Sequence, residues 1–403
     1  MLRTSRGIGL LALALVGGVA LASPDAARAF DGGAWDLATL KQTPAYTLGK
    51  KEGLVQELYY ANEPLAGKPT RVFAYLGRPA EGNGPFPGMV LVHGGGGTAF
   101  PEWATMWAER GYVAIAMDLS GKGPNGETLA DGGPDQDTAL KFSNLSSDHL
   151  KDNWSYHAVA AVLRAHSLLA SLPEVDPTRV GLTGISWGGY LTSLVAGLDD
   201  RFKVAVPVYG CGFYEGGPRW QQAMSRMSDE ERRLWTAEFD PSRFLPQAAC
   251  PMLFVNGTND EAYPLDIHQR SYQLVKSPVT LCIRVAMRHS HPEGWKPAEI
   301  GLFVDQALKG GPGLARIEPA EVVDGEAIAR FTSPVAARSA ELNYTLDTTS
   351  EWSKRPWKTV AATIEAGQVR AKLPAERPLI FFLNLTDERG ALVSTPHATL
   401  AGE

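Results

Sequence analysis

Short apolar runs alternate with segments of helical periodicity through most of the chain. Gly88–His93, Tyr112–Met117 and Val204–Val208 are nearly continuous apolar runs, which is typical of strands buried on both faces of a parallel sheet. Between such runs, segments such as Asp152–Leu172 place apolar residues at helical spacing. Strand and helix repeated in this order predict an α/β fold, a mostly parallel sheet with helices on both faces. Its further predicted strands are 72–76, 180–185, 252–256 and 280–287, and its further predicted helices are 100–110, 188–198, 221–235, 265–275 and 297–308.

The pattern changes after about residue 310. Gly311-Pro312-Gly313 has the composition of a linker. Beyond it the chain consists of short segments with period-two alternation, separated by turns, which predicts a small all-β sandwich. The predicted strands are 328–332, 340–345, 357–362, 369–373 and 379–385.

The first residues have the pattern of an export signal. Arg3 and Arg6 precede an apolar run, Ile8–Ala22, and Ala27-Arg28-Ala29 matches a cleavage site. The alternative is a membrane anchor, but the run is short for a bilayer, which needs about 20 apolar residues. We therefore predict a signal peptide at 1–29, an α/β domain at 30–312 and a β domain at 313–403. The mature protein is expected in the periplasm or outside the cell, with no membrane span after signal removal.

Composition and charge exclude some classes of function. The chain has 38 Lys and Arg against 44 Asp and Glu, a net charge of −6, which argues against a nucleic-acid partner. Its 3 cysteines are too few for a disulfide scaffold. An oxidising compartment leaves two alternatives open, one disulfide between Cys250 and Cys282 or three buried thiols. No cluster of His, Asp and Glu has the spacing of a metal site, so we predict neither metal nor cofactor.

The strongest chemical signal is Gly184-Ile185-Ser186-Trp187-Gly188, which matches G-x-S-x-G between a predicted strand and a predicted helix. A tight turn at this place holds its middle residue in a strained conformation, and the flanking glycines avoid clashes. Ser186 is therefore the predicted nucleophile. The alternative is a glycine-rich turn with an incidental serine.

A second glycine-rich segment, His93-Gly94-Gly95-Gly96-Gly97, directly follows an apolar strand. Its backbone N–H groups and that of Trp187 are expected to form an oxyanion hole. The sequence favours Gly95 as the donor, with Gly96 next. A phosphate-binding loop is the alternative, but no Lys-Ser/Thr pair follows. His93 is interpreted as structural because it precedes the nucleophile.

The acid and the base are expected in the chain order Ser, Asp, His. Asp260 follows the predicted strand 252–256 and is the preferred acid, with Asp266 as the fallback. The last predicted strand, 280–287, is followed by two histidines separated by Ser290. His291 is preferred as the base because His289 would lie too close to the strand end. The other histidine would then bind substrate or brace the loop.

These motifs together resemble the α/β-hydrolase superfamily, and within it the branch of acetylxylan esterases and dienelactone hydrolases, which borders the prolyl-oligopeptidase-type peptidases. The resemblance covers roughly residues 70–310. It implies an α/β-hydrolase fold, a Ser186–Asp260–His291 triad and an acyl-enzyme mechanism. The C-terminal β region is an addition to the family pattern and resembles small fibronectin-type sandwiches of secreted hydrolases.

The sequence thus predicts a secreted serine hydrolase that cleaves carboxylic esters, with acetyl groups on carbohydrate as the favoured substrate. Its partner would be a small-molecule or polysaccharide ester, and the oligomeric state stays open. Two alternatives remain: a serine peptidase of the prolyl-oligopeptidase type, and a non-catalytic carbohydrate-binding protein on a hydrolase scaffold.

Overall fold

A computed structural model describes residues 33–143 and 145–402. The predicted signal peptide at 1–29 lies outside this range and stays a prediction. Within the described residues, no helix combines the length and the apolar character needed to cross a membrane.

In the described part of the chain, nine strands form the first sheet, in the spatial order β1-β2-β3-β5-β4-β6-β7-β8-β9. The β1, β2, β3 and β5 strands pair antiparallel, and from β5 through β9 every neighbouring pair is parallel. Apolar runs buried along their whole length account for the central strands. The strands are β1 (Tyr46–Glu52), β2 (Val55–Leu65), β3 (Lys68–Gly77), β4 (Phe86–Val92), β5 (Val113–Met117), β6 (Val175–Ile185), β7 (Val204–Val208), β8 (Met252–Gly257) and β9 (Val279–Arg284).

The helices connect these strands. The longest, α4, begins after Asn153, whose side chain accepts the Ser155 N–H at 2.8 Å and so caps the first turn. The predicted helix at 221–235 is instead two helices, α6 and α7. Residues 121–150, whose Gly, Asp, Asn and Ser content predicts a long loop, contain the short helix α3. The helices are α1 (Leu37–Leu40), α2 (Pro101–Glu109), α3 (Thr138–Lys141), α4 (Trp154–Ser171), α5 (Trp187–Leu198), α6 (Pro218–Met224), α7 (Asp229–Phe239), α8 (Leu265–Tyr272), α9 (His291–Trp295) and α10 (Ala298–Lys309).

The second sheet is antiparallel and confirms the predicted C-terminal β region. Its main path runs β10-β12-β15-β14-β13-β16-β17, with β11 on β12 and β18 on β16. The resemblance to fibronectin-type sandwiches and the boundary at 312/313 stay predictions. The strands are β10 (Arg316–Ile317), β11 (Glu321–Val323), β12 (Glu326–Thr332), β13 (Ala337–Thr345), β14 (Lys358–Glu365), β15 (Gln368–Lys372), β16 (Leu379–Asp387), β17 (Leu392–Ser394) and β18 (Ala398–Leu400).

The β region covers the edge strand β9 of the first sheet. Ser394 Oγ accepts the Ile283 N–H at 2.8 Å, and Asn384 Nδ2 donates to the Ile283 carbonyl at 3.2 Å. Leu265, Ile283 and Phe382 form a buried apolar cluster across the same contact. An otherwise unpaired strand edge is thereby protected, and both sheets belong to one compact unit that starts at Ala34.

The three cysteines are free and buried, so the structure corresponds to the alternative of three thiols. Burial raises the pKa of the Cys250 thiol to about 11, which keeps it protonated and unreactive at neutral pH.

Candidate active site

The predicted site residues come together at one edge of the first sheet. Strands β4, β6, β7, β8 and β9 are parallel neighbours, so their carboxyl ends lie side by side. The loops after them carry His93, Ser186, Tyr209, Asp260 and His289 in turn. This edge is where parallel α/β sheets commonly bind ligands.

Ser186 lies at the turn between β6 and α5 in a left-handed conformation, with φ of 59° and ψ of −114°. The turn is tight because backbone segments cross at its glycines. A Cβ on Gly184 would lie 2.2 Å from the Gly188 carbonyl oxygen, and one on Gly188 would lie 1.9 Å from that of Val92. Only glycine fits either place, which explains the G-x-S-x-G pattern physically. Ser186 itself is half-buried, and its Oγ makes no hydrogen bond within the described residues.

Asp260 lies in the loop after β8, is buried, and has partners on both carboxylate oxygens. Its Oδ1 accepts the Ala262 and Tyr263 N–H groups at 2.8 and 2.7 Å, and its Oδ2 lies 2.6 Å from His289 Nδ1. The two backbone donors fix the carboxylate, so its remaining oxygen holds the imidazole through Nδ1. The Nε2 atom of His289 is left without a partner in the described part of the chain, and the side chain is 31% exposed.

The structure therefore corrects the predicted pairing of Asp260 with His291, because Asp260 contacts His289 instead. The error came from the end of β9. The prediction extended this strand to Met287, whereas it ends at Arg284 and the chain turns at Ala286, which has φ of 53°. A left-handed alanine gives no signal in the sequence. The early turn leaves His289 well beyond the strand, with enough loop to reach Asp260.

His291 occupies a different position, at the first residue of α9. Its Nε2 accepts the Gly94 N–H at 2.9 Å, and its ring packs on Phe100. A Cβ on Gly94 would lie 2.9 Å from Ser186 Cβ and 3.2 Å from His291 Nε2, so His291 also borders the serine. His291 therefore braces the glycine-rich loop.

Burial keeps His291 neutral. It lowers the pKa of His291 to about 4, with smaller contributions from His93 and His289. An uncharged ring with its proton on Nδ1 is the form that can accept the Gly94 N–H through Nε2. Burial likewise lowers the pKa of His93 to about 4. His93 Nδ1 lies 2.7 Å from the Gly94 carbonyl and its Nε2 accepts the Leu119 N–H at 2.9 Å, a bracing arrangement that agrees with the predicted structural role.

The two predicted oxyanion donors are the N–H groups of Gly95 and Trp187, which follow Gly94 and Ser186 in the chain. Gly94 and Gly97 close a turn through a 3.1 Å backbone hydrogen bond, which leaves Gly95 at the exposed tip. Trp187 is the first residue of α5, so its N–H has no acceptor within the helix. Within residues 33–143 and 145–402, neither N–H donates to a protein acceptor, so both stay free for a ligand.

Tyr209 contacts His289, although its place directly after a predicted strand predicts only a position on the pocket floor. Its ring stacks on His289 with centroids 4.3 Å apart, and its hydroxyl donates to the Arg288 carbonyl at 2.7 Å. The neighbouring Val208 carbonyl accepts the Ser186 N–H at 2.9 Å. Tyr209 thus links the serine turn to the histidine loop. Its position directly after a central strand was the available signal.

The aromatic residues Phe213, Tyr214 and those from Trp220 to Trp235 are expected either to form a small cap over the pocket or to pack internally. The side chains of Tyr214, Trp220 and Trp235 are buried. Trp220 and Phe142 contact the Trp187 ring at centroid distances of 5.0 and 5.9 Å, and both also line a surface groove of about 730 Å³. The ammonium of Lys141 lies between the rings of Trp187 and Trp154, 4.3 Å from each centroid. Burial lowers the pKa of Lys141 to about 7.

Two further histidines lie on the predicted helix 152–172, where a surface or packing role is the preferred interpretation of each. His157 and His166 are buried on α4, where burial lowers the pKa of each to about 4. In the part of the chain that the structure describes, no group of three or more His, Cys, Asp or Glu residues is placed to hold a metal ion.

The order and pairing of the strands in the first sheet are those of the α/β-hydrolase fold. Residues 52–214 match the model of the acetyl xylan esterase family, AXE1. The match spans less than half of the chain. It includes Ser186 and the glycine-rich loop but ends before Asp260 and His289.

Two curated relatives show similar levels of identity. The acetyl esterase Axe7A of Xylanibacter ruminicola is 26% identical over 221 residues, which cover 51% of this chain and 50% of that protein. The uncharacterized peptidase YuxL of Bacillus subtilis is 25% identical over 246 residues, which cover 55% of this chain and 33% of that protein. This chain thus spans about half of one relative and a third of the other.

Among solved structures, the acetyl xylan esterase from Paenibacillus sp. R4 superposes with a TM-score of 0.54 at 19% identity, covering 68% of this chain and 92% of that one. Acetyl xylan esterase 1 from Thermoanaerobacterium sp. gives 0.52 at 18% identity. These likenesses confirm the predicted α/β-hydrolase fold.

Proposed function

We propose that this protein is a serine hydrolase of carboxylic esters that uses Ser186 as nucleophile, His289 as base and Asp260 as the acid that orients the histidine. The contact of 2.6 Å between Asp260 and His289, at the sheet edge that also carries the strained Ser186, is the observation that carries the proposal. The loops after β6, β8 and β9 supply a nucleophile, an orienting carboxylate and a base, which are the roles that acyl transfer needs.

The reaction follows from these positions. His289 Nε2 takes the proton of Ser186 Oγ as that oxygen attacks the ester carbonyl carbon. The N–H groups of Gly95 and Trp187 donate to the oxygen that becomes negative. The imidazolium then protonates the leaving alkoxide, which departs as the alcohol and leaves an acyl-Ser186 ester. Water, deprotonated by the same Nε2, attacks that ester, and the imidazolium returns the proton to Ser186 Oγ as the acid leaves.

Asp260 acts through His289. Its carboxylate accepts the Nδ1 proton, so Nε2 remains free to act as the base on Ser186. The carboxylate also stabilises the imidazolium that forms in each half-reaction. Because Ala262 and Tyr263 hold its other oxygen, the carboxylate does not need to reorganise during the reaction.

Acetyl esters of carbohydrate are the proposed substrates. Support comes from the match of residues 52–214 to the acetyl xylan esterase family and from the similarity to the acetyl esterase Axe7A. The signal-like segment at 1–29 supports export to the periplasm or beyond, where such polymers occur. Mass determination of the mature N-terminus tests the export proposal, with cleavage after Ala29 expected.

The test of the activity compares p-nitrophenyl acetate, acetylated xylooligosaccharides and an aminoacyl-anilide as substrates. We expect hydrolysis of both acetyl esters and no release from the anilide. Ser186→Ala is expected to abolish turnover while leaving the thermal unfolding temperature close to that of the parent. Undiminished turnover by Ser186→Ala would contradict the proposal.

The similarity to the peptidase YuxL favours a peptidase as the second candidate. Both reactions use the same triad, so mutants cannot separate them. Faster turnover of the aminoacyl-anilide than of the acetyl esters would select the peptidase. Failure on all three substrates, together with binding to acetylated xylan, would select the non-catalytic carbohydrate-binding alternative.

A further inference from the structure

The C-terminal β region reaches the catalytic loops through one side chain. Asn259, which precedes Asp260, donates from Nδ2 to the carbonyl oxygens of Ser353 and Arg355, each at 2.9 Å. Ser353 lies in the segment between β13 and β14, so this contact joins the loop of the acid to the second sheet. Asn259 is half-buried at this junction.

The same contact continues to the loop of the histidine. Asn259 Oδ1 accepts from Thr258 Oγ1 at 2.8 Å, and Thr258 Oγ1 accepts the Ala286 N–H at 3.0 Å. Ala286 is the residue at which the chain turns after β9. One chain of hydrogen bonds therefore runs from the second sheet through the acid loop to the turn that leads to His289.

At the other end of this hydrogen-bond chain, Arg355 is held by contacts within the β region. The guanidinium of Arg355 donates to the Ser350 and Thr348 carbonyls at 2.9 and 3.2 Å and stacks over the Trp352 ring at 3.9 Å. Trp352 also packs against the apolar cluster that joins the two sheets. The two carbonyls that receive Asn259 are thus fixed from within the β region.

We propose that Asn259 and Thr258 are positioning residues, through which the C-terminal β region holds the acid and histidine loops at the separation that catalysis requires. The inference rests on the proposed function of Asp260 and His289. It assigns the β region a role in turnover, beyond protection of the β9 edge. A left-handed conformation is unfavourable for alanine, and the hydrogen bond from the Ala286 N–H to Thr258 helps to hold the turn in it.

Substitution of Asn259 or Thr258 is expected to change kcat more than KM. Neither residue belongs to the glycine-rich loop or the aromatic cluster beside Trp187, so KM should change little. Displacement of either loop misaligns Asp260 and His289, and a shift of about 1 Å can reduce the rate roughly a hundredfold.

The experiment uses the full chain and four variants. Asn259→Ala removes both contacts to the β region, and Thr258→Val removes the hydroxyl without changing the side-chain shape. Thr258→Ser keeps the hydroxyl and is the conservative partner of Thr258→Val. Asn384→Ala is the matched control, because Asn384 also donates across the junction but to Ile283, away from the hydrogen-bond chain.

We expect Asn259→Ala and Thr258→Val to lower kcat on p-nitrophenyl acetate by about tenfold or more, with KM within about twofold of the parent. Thr258→Ser should restore kcat to within about twofold. Asn384→Ala should lower the unfolding temperature while kcat stays unchanged.

Wild-type kcat in folded Asn259→Ala and Thr258→Val would overturn the inference. Equal loss of kcat in Asn384→Ala would also overturn it, because the effect would then be general loosening of the junction. Ser186→Ala is measured in parallel. If that variant is inactive while Asn259→Ala is fully active, only this inference fails; if Ser186→Ala is active, the proposed function itself fails.

Discussion

His289 and His291 are two positions apart in the chain, yet their ring nitrogens have different partners. His289 is partly exposed, contacts the Asp260 carboxylate at 2.6 Å and has a free Nε2. His291 is half-buried at the start of α9, and its Nε2 already accepts the Gly94 N–H. The comparison shows that the partner of each ring nitrogen determines what a histidine can do: a free Nε2 can act as a base, whereas an engaged one fixes backbone.

We expect the largest fall in kcat from His289→Asn. An asparagine amide reproduces the Nδ1 donor to Asp260 but supplies no base, so the site keeps its packing and loses proton transfer. We expect kcat to fall at least about 10⁴-fold with little change in unfolding temperature. Steady-state kinetics on p-nitrophenyl acetate measure the effect. A loss below about tenfold would remove His289 from the role of base.

We expect a smaller loss of kcat from His291→Ala, because this substitution removes only the hydrogen bond that holds the glycine-rich loop. Gly94 loses its acceptor and the neighbouring Gly95 N–H is no longer aimed, so kcat should fall about tenfold to a hundredfold. His291→Gln is the matched control, since its amide oxygen replaces Nε2 as acceptor and should recover most of the activity. Equal, complete inactivation by both substitutions would indicate that His291 itself transfers protons.

Substitutions of Tyr209 test the environment of His289, because the tyrosine ring stacks on the imidazole. Tyr209→Leu removes the stacking contact and the hydrogen bond to the Arg288 carbonyl, and we expect about a tenfold fall in kcat. Tyr209→Phe keeps the ring and should lose only a few-fold. If the leucine variant had wild-type kcat, the stacking would have no part in holding the imidazole.

The smallest effect concerns the pH dependence of stability. Burial lowers the pKa of His291 from its ordinary 6.5 to about 4, so the unfolded chain binds more protons at this site in that interval. The stability contributed by the neutral ring is present above pH 6.5 and is lost as the pH falls toward 4. Thermal unfolding between pH 7 and 4 should therefore show a shallower decline for His291→Gln than for the parent. Parallel curves would contradict the assignment of His291 as a buried neutral ring.

Much of the fold could be predicted from local patterns. The strand at Val204–Val208 is where its apolar run predicts it, and the glycines around Ser186 indicate a turn that only glycine permits. The pairing of Asp260 could not be predicted, because it depends on the left-handed turn at Ala286. That conformation is stabilised by the contact with Thr258 from another loop. The hydrogen bonds from Asn259 to the β region could not be predicted from the sequence either, because their acceptors are backbone carbonyls, which every residue type carries.

The most direct test of the account is labelling by a fluorophosphonate, which reacts only with a serine that a base has activated. The parent and the two histidine variants, His289→Asn and His291→Gln, are treated with the probe and mapped by peptide mass spectrometry. We expect an adduct on Ser186 in the parent and in His291→Gln, and none in His289→Asn. An adduct that persists in His289→Asn and disappears in His291→Gln would contradict it.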